Sequence, residues 1–169
     1  MRDPYNGIDG GAPLTVTSDD FSDGGSLPLE CTAQFVGAGG RDVSPQLAWS
    51  DVPEGTKSIY IHVYDPDAPT PAGWWHWSVV NLPPTLRSLD RDANGNLPDG
   101  AVVLKHDGGG LGYLGSAPPE GHGPHRYYFT VHALDTLLDV DEHTSATAAA
   151  FQTVGHVLAR GSIVGTWEN

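Results

Sequence analysis

A chain of 169 residues, 38% hydrophobic and 17% charged, suits one soluble globular domain whose core needs no covalent staples. Its 21 acidic and 8 basic residues leave a formal net charge of -13, which repels nucleic-acid backbones and anionic membrane surfaces. No apolar run approaches the roughly 20 residues of a membrane helix, so nucleic-acid binding and stable membrane insertion are not expected. Cys31 has no second cysteine to pair with, and the opening MRDPYNGIDG holds no apolar segment of a secretory signal. A reducing cytoplasm is the expected location.

The 22 glycines and 14 prolines favour turns, strands and loops over helix. Residues 1–12 read as a flexible lead-in and 13–169 as a single domain. LTVTS (14–18) alternates as a strand, and QLAWS (46–50) and SIYIHVYD (58–65) form two more around the turn VPEGT. In the latter run Ile59, Ile61, Val63 and Asp65 share one face, and Tyr60, His62 and Tyr64 the other. WWHWSVVNL (74–82) is apolar on both faces, as expected of a central covered strand. Strict alternation there sets His76 opposite both Trp75 and Trp77. Residues 83–124 read mostly as loop. HRYYFTVHAL (125–134) is a strand with His125, Tyr127, Phe129 and Val131 on one face. TSATAAAFQTVGHVLARG reads as a helix from a Thr144 or Ser145 cap to Gly161, with Phe151, Val154 and Leu158 at helical spacing. SIVGTW (162–167) closes as a short strand. The outcome is a mainly β domain with one C-terminal helix.

The chemistry gathers at two stretches. In DPDAPTPAGWWHW, Asp65 ends an apolar strand face, where desolvation penalises its charge unless a partner is present. Asp67 follows two residues later, close enough to share a site. In GSAPPEGHGPHRY, His125 opens a strand after a Gly- and Pro-rich loop. Each feature has a structural reading beside the functional one: Asp-Pro-Asp at a strand end forms Asx-turns, and histidines among aromatics are often core residues. His122 and His125 have the spacing of a metal pair, but the absence of a nearby cysteine argues against zinc, and no metal is expected. GGGLG (108–112) lacks the Lys-Ser/Thr of a phosphate loop, and no nucleophile-elbow motif supports a serine triad. No cofactor motif is present.

The runs SPQLAWSDVPEGTKSIYIHVYDPDAP, HWSVVNLP, GSAPPEGHGPHRYYFTVHALD and LARGSIVGTWE, in that order, resemble the phosphatidylethanolamine-binding protein family, and more narrowly its bacterial and archaeal Raf-kinase-inhibitor-like branch. The resemblance implies a large antiparallel sheet packed with a second smaller sheet, short peripheral helices, and a small cavity that accepts anions, above all phosphate-bearing head groups. Carried over by motif, the ligand-binding residues are Asp65, Pro66, Asp67, Trp74, His76, Ala117, Pro118, Pro119, His125 and Tyr127. Many relatives carry Gly-Pro-Cys-Pro-Pro where this chain has Gly115, Ser116, Ala117, Pro118 and Pro119, so no thiol contributes to that wall. His76 and His125 are expected to donate to the anion, with backbone N–H groups around Ser116 and Ala117 as a nest. The aspartates would orient the imidazoles or meet an ammonium, which favours a zwitterion such as phosphoethanolamine.

Three functions follow. The first is a small-ligand binding protein for an anionic or phosphorylated ligand, with family links to kinase regulation and protease inhibition suggesting a protein partner. The second is an enzyme, an isomerase, cyclase or hydrolase using Asp65, His76 and His125 for general acid–base work. The third is a regulator acting by protein contact through the loops of 83–124. The resemblance also implies a homodimer.

Overall fold

The structure is a computed structural model that describes residues 3–36, 39–141 and 143–169. The strands are β1 (Ala12–Pro13), β2 (Val16–Thr17), β3 (Leu47–Trp49), β4 (Ser58–Asp65), β5 (Trp74–Leu82), β6 (Ser88–Leu89), β7 (Val102–Val103), β8 (His125–Leu134) and β9 (Val157–Trp167). A six-stranded sheet runs in the order β1-β9-β8-β4-β5-β7, and a three-stranded sheet in the order β2-β3-β6. All pairings are antiparallel except the short parallel contact of β1 with β9. Three short 3₁₀ turns flank the sheets at Leu29–Cys31, Gln34–Val36 and Ala93–Gly95. This is the mainly β, two-sheet architecture the sequence predicts.

Alternation dictates what each face of the large sheet covers. Ile59, Ile61 and Val63 of β4 and Tyr127, Phe129 and Val131 of β8 point toward the small sheet, where they bury Leu47, Trp49 and Leu89 in the main core. Tyr60, Val80 and Leu134 point the other way and pack under α1 (Ala146–Gln152), the one α-helix among the described residues, through Ala149. The molecule is therefore a sheet with a small sheet on one face and a helix with loops on the other.

The predicted helix is much shorter than its apolar spacing suggests. Ser145 caps it as expected, its side chain accepting from the Ala148 N–H. It ends at Thr153, and the chain from Val157 onward is strand β9, paired with β8 along its length. Phe151 and Val154, two of the apolar residues at helical spacing, are 77% and 65% exposed. Gly155, with φ 82°, breaks the helix, and the β8 edge supplies ten registered partners that local helix propensity cannot match.

A second correction concerns β5. Val63 pairs with Trp77 and Tyr64 with Trp75, so His76 is an extra residue in the ladder. That β-bulge interrupts alternation. His76 faces the same side as Trp77, which lies wholly in the main core, and opposite only to Trp75. Residues 83–124 form mainly loop, as predicted, and their 113–117 segment lies along His76 on one side and Thr32 on the other.

Candidate functional site

At one end of the main-core face, the last residue of β4 and the first residues of β5 and β8 converge, because both neighbours run antiparallel to β4. A half-open cavity of about 410 Å³ forms there. Of the residues the sequence points to, Asp65, Trp74, His76, Ala117, Pro119, His125 and Tyr127 line it.

Asp65 is the centre of the polar network. Its Oδ1 accepts the N–H groups of Asp67 (2.7 Å) and Ala68 (3.0 Å), an Asx-turn that redirects the chain after the strand ends. Its Oδ2 accepts from His125 Nδ1 at 2.8 Å. Both side chains are buried. Burial raises the Asp65 carboxyl above the usual carboxylate range, with the His125 contact offsetting part of the effect. His125 Nε2 lies 3.1 Å from Nδ1 of the exposed His122, so a chain Asp65–His125–His122 runs from the sheet to solvent. The two histidines spend facing nitrogens on each other, and no group of three metal-ligating side chains stands together among the described residues.

His76 is held differently. Its Nδ1 lies 2.9 Å from the Leu114 carbonyl and must donate there, which leaves Nε2 as an acceptor. Burial pulls its pKa down to about 4, so the ring is neutral near pH 7. Tyr127 packs edge-on against it, ring centroids 5.1 Å apart, and burial pushes the Tyr127 phenol well above its ordinary range, so it stays a neutral donor. The loop behind is fixed by Leu114 N–H to the His76 carbonyl (2.9 Å) and Gly115 N–H to Asp42 Oδ1 (2.7 Å). Gly115 passes so close to the Thr32 and Ala33 backbone that any Cβ there would collide with it.

Four expected residues lie elsewhere. Ser116 is buried beside the cavity, and its N–H, expected to face an anion, donates to the Cys31 carbonyl (3.3 Å). Pro118 is buried, its carbonyl accepting from Asn169. Pro66 and Asp67 line a second cavity on the opposite face of the sheet. Asp67 forms a bidentate pair with Arg126, its Oδ2 also accepting the Arg126 N–H. Desolvation opposes its charge, but the Arg126 bonds prevail and hold the carboxyl below its usual range.

Sequence reasoning missed Phe35, Thr70, His106 and Leu114 in the first cavity, and Arg126 as the partner of Asp67. Phe35, His106 and Leu114 come from loops with no periodic signal. Arg126 was accessible, since alternation places it opposite His125. Among the described residues, no lysine or arginine lines the first cavity. Its walls are apolar and aromatic, with a few converging polar groups, the usual make-up of a small-molecule site.

The sequence profile of the family described as Phosphatidylethanolamine-binding protein matches residues 17–168. The UPF0098 protein YbhB of Escherichia coli (strain K12) is 47% identical over 154 residues, covering 89% of this chain and 97% of its own length. The crystal structure of E. coli YbcL, described as a new member of the mammalian PEBP family, superposes with a TM-score of 0.88 at 42% identity, covering 94% of this chain and 99% of that one. A PEBP homologue of Chlamydia trachomatis superposes with a TM-score of 0.81 at 32% identity, over 94% and 99% of the two chains. This chain belongs to the phosphatidylethanolamine-binding protein family.

Proposed function

We propose that the protein binds a small phosphorylated ligand with a phosphoethanolamine-like head group in the cavity closed by Asp65, His76 and His125. Family membership supports a ligand-binding role in general. The observation that carries the finer reading is the opposite polarity of the two buried imidazoles. His125 Nδ1 donates to a carboxylate, and its Nε2 meets the exposed His122. The ligand phosphate takes the place of His122 there, sharing a proton with Nε2 beside the Tyr127 hydroxyl. His76 offers a neutral acceptor at Nε2, and Trp74 an aromatic face, which together meet an ammonium. A cavity whose described lining holds no lysine or arginine suits a zwitterion better than a bare dianion.

Calorimetric titration with phosphoethanolamine tests this reading. Saturable one-to-one binding is expected. His76→Ala and Asp65→Asn should each weaken binding about tenfold or more, the worth of one desolvated polar contact. Unchanged affinity in both folded variants would refute the assignment.

The Asp65–His125 pair also has the geometry of a general base, which supports acid–base catalysis on a small metabolite as a second reading. Mass spectrometry of a co-purified ligand before and after incubation separates the two: an unchanged ligand favours binding, and a converted one favours the enzyme.

A further inference from the structure

On the helix-side face of the large sheet, a cavity of about 510 Å³ lies between the sheet, the 66–73 loop, α1 and the segment around Tyr5. Its floor is aromatic. The His62 ring lies 5.0 Å from Trp75 and 5.2 Å from His132, and Trp75 lies 4.8 Å from Tyr64. Tyr5 closes one side, its hydroxyl 2.9 Å from His62 Nε2 and 3.0 Å from Thr130 Oγ1. The Tyr5 hydroxyl donates to Thr130, so His62 Nε2–H donates to Tyr5 and His62 Nδ1 carries a bare lone pair. That buried atom has no hydrogen-bond partner, nor has Nδ1 of buried His132. Burial holds both imidazoles neutral, His132 down to about 3.

Charge distinguishes this cavity further. Among the described residues, Arg126 and Arg160, two of the chain's eight lysines and arginines, line it, whereas the first cavity has none. Arg126 is matched by Asp67. Arg160 stacks over the Tyr5 ring, 4.5 Å from its centroid, and donates to the Asp9 and Ile8 carbonyls. It reaches no carboxylate among the described residues. A guanidinium has five N–H donors, and the two carbonyls leave others unspent. Among the described lining residues Asp67 is the one carboxylate and it is taken up by Arg126, on which Asp3 also acts, so Arg160 is left to meet an added acid within a protein whose net charge is -13. A singly charged acid matches that guanidinium, and a planar acid uses the ring faces that surround it.

We propose that this second cavity binds a small aromatic monocarboxylate, its carboxylate on Arg160 and its ring against Trp75 and Tyr5. Because Thr70 lines both cavities, occupancy of either one bears on the same loop. The site stands independently of the phosphoethanolamine reading, since the two share no charged group.

The test is titration of the full chain with 4-hydroxybenzoate, followed by calorimetry and by the indole N–H resonance of Trp75, which lines the cavity and donates to Thr147. Saturable binding with a shift of that resonance is expected. The neutral amide 4-hydroxybenzamide should bind about tenfold more weakly or worse, and Arg160→Met should reduce affinity for the acid by a similar factor. No saturable binding at millimolar acid, or equal affinity for acid and amide, would each overturn the proposal. The acid–amide comparison uses the unmodified protein, so it decides even if Arg160→Met fails to fold.

Discussion

Asp65 and Asp67 stand two residues apart, yet each serves a different cavity on a different face of the same sheet. Asp65 is buried, bonded to an imidazole and raised in pKa, in a cavity with no lysine or arginine among its described residues. Asp67 is partly buried, clasped by a guanidinium and lowered in pKa, in a cavity with two arginines among its described residues. The dividing device is the Asx-turn at Asp65. In a continuing strand, residues i and i+2 share a face. Here the strand ends at Asp65, whose carboxylate captures the next two free N–H groups and swings Asp67 past the sheet edge. Gly73 closes the far end of that turn at φ 65°, with its Cα packed so tightly on the Tyr64 ring and the Asp65 carbonyl that a larger residue has no room.

The largest effect expected of a single substitution falls beneath the first cavity. Trp77→Ala removes a fully buried indole adjacent to the bulge at His76, and should lower unfolding stability by about 3–5 kcal/mol in a denaturant titration. A loss below about 1 kcal/mol would mean that the main core does not extend under this site.

The next effect probes both faces together, through acid. His76 and His132 are neutral when folded, with pKa values near 4 and 3, and each binds a proton more readily once unfolded. Their folded values lie below the unfolded one, so stability is full above about pH 6.5 and falls as pH drops toward those values. For His76 the loss is on the order of 3 kcal/mol by pH 4. His76→Gln and His132→Gln should each flatten the acid limb of a melting-temperature profile. An unaltered limb in both variants would show that these rings are not buried neutral.

The smallest effect separates the aspartates by sign. The folded Asp65 carboxyl holds its proton more tightly than the unfolded chain does, so its ionisation diminishes stability as pH rises from the unfolded value through the folded one. Asp67 does the reverse: its contribution is present above the unfolded carboxyl value and is lost as pH falls through the lower folded one. Comparing Asp65→Asn and Asp67→Asn with the parent across pH 3–7 should give differences of opposite slope, with about 1 kcal/mol at most for the screened Asp67 pair. Slopes of the same sign would contradict the division of the two carboxylates.

The sequence made legible the features that depend on period and on local caps. Strands β4, β5 and β8 begin and end where alternation and flanking turns place them, and Ser145 caps α1 as its position suggests. The site residues on those strands, Asp65, Trp74, His76, His125 and Tyr127, are brought together because antiparallel pairing gathers their ends. What escaped was non-local. The bulge that turns His76 toward Trp77 exists only relative to β4, and the end of α1 is decided by the edge of β8. Loop residues such as His106 and Phe35 reach the cavity through tertiary contacts with no periodic trace. The turn that parts Asp65 from Asp67 was foreseen as an Asx-turn, but its direction was not.

The most direct test of the account is a crystal structure of the full chain grown with phosphoethanolamine at saturating concentration. The account predicts the phosphate within hydrogen-bond distance of His125 Nε2, the ammonium at His76 Nε2, and no ligand at Arg160. Density for the phosphate at Arg160, with the cavity beside His125 empty, would contradict it.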